Sequence, residues 1–207
     1  MTNKHNTTAL SRYDLTVISD WIAPNSKVLD LGCGNGSLLQ HLQLNKGTTG
    51  YGLELNPEMI AECIDKGVNV IQTNLDKGLS YFDSDSFDYV ILSLTLQAMR
   101  NPKTLLEEML RVGKQGIVTF PNFAYWRNRL QIAVNGKMPV SEELPYKWYD
   151  TPNIHLCTIH DFSTLCEQLG FRIESSIAVH SNGKTNLGLK AMPNLFGEIA
   201  LCRFSRH

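Results

Sequence analysis

The sequence predicts an α/β fold, one doubly wound and mainly parallel sheet with helices on both faces. Three observations lead there. Short apolar runs alternate with amphipathic ones almost to the end of the chain, a glycine-rich turn joins the first such pair, and two Asn-Pro pairs open helices just after strands. The 207 residues suffice for one full core and are few for two, so a single domain over 1–207 is expected.

The elements follow in order. KVLDLG is short and almost wholly apolar, as a strand buried on both faces must be. SLLQHLQL carries leucines at 38, 39, 42 and 44, read as one helical face. TGYGLEL is the second strand, and Asn56-Pro57 then caps and opens the helix PEMIAECIDK, which Gly67 ends. VNVIQTN and FDYVILSLTL read as strands three and four. Asn101-Pro102 repeats the helix start before KTLLEEMLRV, and GIVTFPN is strand five. Residues 123–157 break the rhythm, with prolines, tyrosines and tryptophans in weak periodicity. So long and aromatic a connection predicts an ordered insertion over the sheet edge, between core segments 12–122 and 158–207. HDFSTLCEQLG is a helix ended by Gly170, and FRIESSIAV and EIALCRF are two last strands that can pair antiparallel.

Bulk properties exclude several function classes. A net charge of −1 offers no broad attraction to nucleic acid or an anionic membrane, and the cluster Arg127, Arg129 and Lys137 reads as a solvated face. No apolar run reaches the ~18 residues of a membrane span, and MTNKHNTTALSRYD lacks the apolar block of a signal peptide. Five widely spaced cysteines, an odd number, fit a reducing compartment rather than a disulfide framework, so a cytoplasmic location is expected. His155, Cys157, His160 and Cys166 lack the paired spacing of a zinc site, and no metal is expected.

The chemistry concentrates in VLDLGCGNG, Val28 to Gly36, where a strand runs into Gly32, Gly34 and Gly36. A first βα turn in such a sheet should touch the ligand. A phosphate-binding loop needs Lys and Ser/Thr after its last glycine, but Ser37 and Leu38 follow here; Gly183-Lys184-Thr185 has Ala178 where the first glycine is required. A dinucleotide turn would read GxGxxG rather than GxGxG, and Asp30 would repel its pyrophosphate. A carboxylate at that place favours a cation instead. S-adenosylmethionine carries a sulfonium and an ammonium and no phosphate. Glu54, ending the second strand eighteen residues after Gly36, can accept from its ribose hydroxyls.

VLDLGCGNG followed by YGLELNP resembles motif I and its acidic partner in class I S-adenosylmethionine-dependent methyltransferases, over roughly residues 12 to 120. The resemblance implies a Rossmann-like, seven-stranded, mostly parallel sheet with an antiparallel last strand. It implies that Asp30 faces the methionine ammonium, that Gly32, Cys33, Gly34 and Gly36 line S-adenosylmethionine or S-adenosylhomocysteine, and that Glu54, beside Leu55, holds the ribose. Adenine falls to Asn74-Leu75-Asp76, with Asn74 where many relatives have aspartate; Asn74 and Asp76 both remain candidates. Ser93 completes the implied set. A narrower resemblance, carried by LSLTLQAMRNPKTLLEEMLRVGKQGIVTFPNFAYWRNR and KMPVSEELPYKWYDTPNIHLCTIHDF, is to the methionine biosynthesis protein MetW family. That family is associated with homoserine O-acyltransferase, which implies a protein partner.

No catalytic residue is identified. Where amino-group methyltransferases often place (N/D)PP(Y/F) after strand four, this chain has the apolar Ser93-Leu94-Thr95-Leu96, and His155 and His160 read as surface or cap residues. Two functions follow. The first is an S-adenosylmethionine-binding accessory protein that works with the acyltransferase through its aromatic insertion; the second is a small-molecule methyltransferase with the insertion as its lid.

Overall fold

The computed structural model describes residues 12–141, 143–180 and 187–207. The Gly183-Lys184-Thr185 tripeptide and the first eleven residues lie outside them. The chain runs α1 (Arg12–Trp21), β1 (Lys27–Leu31), α2 (Ser37–Lys46), β2 (Thr49–Glu54), α3 (Pro57–Asp65), β3 (Val70–Gln72), β4 (Phe87–Ser93), α4 (Pro102–Val112), β5 (Gly113–Pro121), α5 (Trp126–Asn135), α6 (Ile159–Gln168), β6 (Phe171–Val179), α7 (Leu187–Ala191), α8 (Pro193–Phe196) and β7 (Ile199–Arg206). Seven strands form one sheet in the order β3-β2-β1-β4-β5-β7-β6. β7 slots between β5 and β6 antiparallel to both, and the other registers are parallel. The last strand is thus the antiparallel one, as anticipated.

Strand alternation distributes the core to two faces. Leu29, Leu31, Val90, Leu92, Val118 and Phe120 face a cluster completed by α4 and α6, where Phe120, Phe162 and Phe204 pack with ring centroids 5.3 and 5.7 Å apart. Val28, Ile91, Ile117 and Leu201 face α1, α2 and Cys63 of α3. Both helix starts written as Asn-Pro are present, and the Asn56 side chain accepts from the Glu58 N–H at 2.9 Å. Thr158 and Asp161 close a capping box at the head of α6.

Several expectations require correction. Leu38, Leu39 and Leu42 are buried, but Leu44 is 77% exposed, because six residues after Leu38 a helix has turned to its other side. β3 is three residues rather than seven, and β4 ends at Ser93 because Leu94 takes a left-handed φ of 48°. The insertion holds a regular helix, α5, and its last turn is closed by Gly136. That helix buries only Asn128, so it shows no apolar stripe in the sequence. α1, α7 and α8 are further additions.

Candidate functional site

The strand order reverses between β1 and β4, and a crevice of about 690 Å³ opens there beyond the strand tips. It gathers Asp30, Gly32, Cys33, Gly34, Glu54, Leu55, Asn74, Leu75, Asp76 and Ser93 from four different strand ends. Gly36 is the one candidate it leaves out. Gly36 caps α2 at φ 72°, and a Cβ there would stand 2.9 Å from the Cys63 sulfur, so its requirement comes from packing against α3.

The two carboxylates differ sharply. Asp30 alternates with the apolar residues of β1, is 2% exposed, and its Oδ1 accepts no hydrogen bond. Burial, and after it the Glu54 charge, push its pKa up to about 7. Glu54 is instead held by backbone. Its Oε2 accepts from Gly34 N–H at 2.9 Å, and its Oε1 accepts from Leu55 and Asn56 N–H at 2.7 and 2.9 Å. Of roughly four lone-pair positions on a carboxylate three are taken, which leaves room for one further donor. Through Gly34, the same side chain clasps the glycine turn to the end of β2.

The remaining candidates are less free. Asn74 caps a short 3₁₀ turn, its Oδ1 accepting from Asp76 N–H at 3.0 Å. Asp76 accepts from Arg100 N–H at 3.2 Å. The Ser93 hydroxyl pairs with that of Thr119 at 3.0 Å. Cys33 and Cys63 lie sulfur to sulfur at 3.9 Å, and burial pushes both thiols up, so neither is a reactive thiolate. All five cysteines are free, and among the described residues no three His, Cys, Asp or Glu side chains group as metal ligands. His155 and His160 are exposed, the latter in the first turn of α6.

Residues the sequence reading missed complete the far wall. Gln97 is 8% exposed; its Nε2 donates to the Leu94 carbonyl at 2.8 Å, while its Oε1 stands unpartnered. The Gln97 carbonyl accepts from Ile154 and His155 N–H at 2.8 and 3.0 Å, tying the insertion to the turn after β4. Glu143, Tyr146, Pro152 and Asn153 reach the crevice from that insertion. No local motif marks these residues, since only the chain's path over the sheet brings them there.

Fold and site together define a protein with the architecture of S-adenosylmethionine-dependent methyltransferases. Solved structures of that class align over nearly the whole chain: one from Archaeoglobus fulgidus, at TM-score 0.68 and 17% identity, covers 93% of this chain and 91% of that one. One from Mesorhizobium loti, at TM-score 0.68 and 19% identity, covers 92% and 96%. The chain itself belongs to the family of the methionine biosynthesis protein MetW, whose model matches residues 12–204. A curated relative from Rhodopirellula baltica, the bifunctional methionine biosynthesis protein MetXA/MetW, is 37% identical over 198 residues. That match takes in 91% of this chain, which spans about a third (32%) of the relative's length. Among the described residues no helix is long and apolar enough to cross a membrane.

Proposed function

We propose that the crevice binds S-adenosylmethionine or S-adenosylhomocysteine, and that the protein acts with a homoserine O-acyltransferase to support or regulate homoserine acylation. The observation that carries the ligand is Asp30. Ionised, an unpartnered buried carboxylate next to a second acid is unfavourable unless a cation joins it. The α-ammonium common to both ligands supplies that charge. Asp30 would hold it, Glu54 would accept a ribose hydroxyl in its one open position, and Asn74, Leu75 and Asp76 would border the adenine. Gly34 bears no side chain to obstruct the approach; nothing stands within 4 Å of the place a Cβ would take.

The partner rests on two supports. The Rhodopirellula baltica relative joins a MetW unit to MetXA in one polypeptide, and we take MetXA to be the acyltransferase. The insertion also carries exposed aromatics, with Trp148 at 74% and Tyr149 at 65% exposure, side chains that anchor many protein interfaces. Bound S-adenosylmethionine can regulate acylation only if its affinity differs between the free and partner-bound protein. The deciding experiment reconstitutes the protein with the acyltransferase and measures co-purification and acylation rate, with and without S-adenosylmethionine. No association and an unchanged rate would remove the accessory role. Transfer of a labelled methyl group to a metabolite at enzyme-like turnover would establish a small-molecule methyltransferase in its place.

A further inference from the structure

Asn35 stands in the glycine turn between Gly34 and Gly36, both at positive φ, 54° and 72°. Glycine makes room for a ligand, yet it also leaves a turn free to take other shapes. Freedom lost on binding weakens affinity, so a turn shaped in advance binds better. A side chain from the end of α3 reaches this turn from behind.

Lys66 caps the C-terminal end of α3, and Gly67, at φ 71°, turns the chain away directly after it. The Lys66 N–H donates to the Glu62 and Cys63 carbonyls at 3.2 and 3.1 Å, and its carbonyl accepts from Gln40 Nε2 at 3.3 Å. From this fixed base the ammonium donates to the Asn35 carbonyl at 2.8 Å and to the Ser37 hydroxyl at 3.1 Å. Ser37 in turn donates to Asn35 Oδ1, from its N–H at 3.2 Å and from its hydroxyl at 2.8 Å. Three residues before Lys66, the Cys63 thiol donates to the Gly34 carbonyl at 3.2 Å. Glu62 Oε2 stands 3.8 Å from the same ammonium, but that side chain is half exposed, and such pairs contribute little.

We propose that Lys66 is a positioning residue for the adenosyl ligand, a peg that holds Asn35 and Ser37 in the shape the ligand meets. The role rests on the crevice binding S-adenosylmethionine or S-adenosylhomocysteine. Asn35 and Ser37 line the crevice and Lys66 does not, so the lysine acts through them. Its two charge-assisted hydrogen bonds fix the chain on both sides of Gly36, and the ligand then has less backbone to order.

The test compares the full-length wild-type protein with Lys66→Met, which keeps the reach of the side chain and removes its donors. Calorimetric titration with S-adenosylhomocysteine, at a temperature where circular dichroism shows both proteins folded, is expected to give about tenfold weaker binding in the variant. Glu62→Gln removes only the exposed ion pair and should bind as the wild type does. Amide exchange in the ligand-free protein supplies a readout that a general loss of stability would not reproduce. Exchange at Gly34, Gly36 and Ser37 should quicken in Lys66→Met while β5 and β7 keep wild-type rates, and saturating ligand should slow it again. Unchanged affinity in Lys66→Met, an equal loss in Glu62→Gln, or exchange that quickens throughout the sheet overturns the role while leaving the ligand in place. A wild-type protein that binds no adenosyl compound overturns the reading of the crevice and the role with it, so the two failures are told apart.

Discussion

Two walls of one crevice are built on different principles. The wall at the tips of β1 and β2 is rigid and closed in on itself. The glycine turn is hydrogen-bonded to Leu53 and Glu54, the strands behind it are buried, and Asp30 alone is left unsatisfied. The opposite wall is the insertion, whose grip on the core includes the paired amides of Ile154 and His155 on the Gln97 carbonyl. Tyr125 and Leu144 of the insertion are buried, but Val134, Trp148, Tyr149 and Ile154 are exposed. One wall thus keeps a buried carboxyl without a hydrogen-bond partner, and the other keeps apolar surface without a cover. Under the proposed function the first would meet a small charged ligand and the second a macromolecular partner.

The largest effect should come from breaking the rigid wall. Gly50 of β2 has φ 147°, and a Cβ there would stand only 1.7 Å from the Val28 carbonyl oxygen. Gly50→Ala should cost about 4 kcal/mol or more, enough to unfold a typical domain partly, as denaturant titration would show. A mild effect would mean that β1 and β2 shift apart easily and that the wall is not rigid.

Asp30 gives the next. In the ligand-free protein its folded pKa of about 7 lies above the unfolded value near 3.8, so between these pH values the folded state binds the extra proton. Stability should therefore fall as pH rises through that window, by up to ~4 kcal/mol, and Asp30→Asn should flatten the slope. Thermal melts between pH 4 and pH 8 are the check, and a slope identical in the variant would show that Asp30 carries no such penalty. The ligand reverses the sign. A cation prefers ionised Asp30, so S-adenosylmethionine affinity should decline about tenfold per pH unit below 7.

Ligand stabilisation itself should be smaller. At ~100 times its dissociation constant, S-adenosylmethionine should add about 2.7 kcal/mol, lost largely in Asp30→Ala and Glu54→Ala. An undiminished thermal shift in both variants would place the ligand elsewhere. The exposed wall should give the least of all. Trp148→Ala and Tyr149→Ala are expected to alter stability by within about 0.5 kcal/mol while weakening acyltransferase co-purification. A large loss of stability would show that these rings serve the fold.

Much of the first wall was legible because its signals are local. β1 is apolar around a single acid, the glycines follow at once, and Asn56-Pro57 fixes where α3 begins. Gly36 shows the limit of such local signals: its place in the motif suggests ligand contact, and that a Cβ there would meet Cys63 and Val68 is visible only in the fold. The insertion was recognisable only as ordered and aromatic. α5 escaped notice because Leu130, Ile132 and Val134 remain exposed, so no buried stripe betrays its period.

The chain's alternation and turn residues by themselves determined a mostly parallel α/β sheet with a glycine turn at its first crossover and two acids at the tips of β1 and β2. These follow from backbone geometry and burial over stretches of a few residues. Only the tertiary structure decided that Asp30 stays unpaired while Glu54 is engaged three times, and that Gln97 joins the insertion to the crevice. Hydrogen-bond satisfaction and charge pairing depend on which groups converge from distant parts of the chain, and no short pattern encodes that convergence.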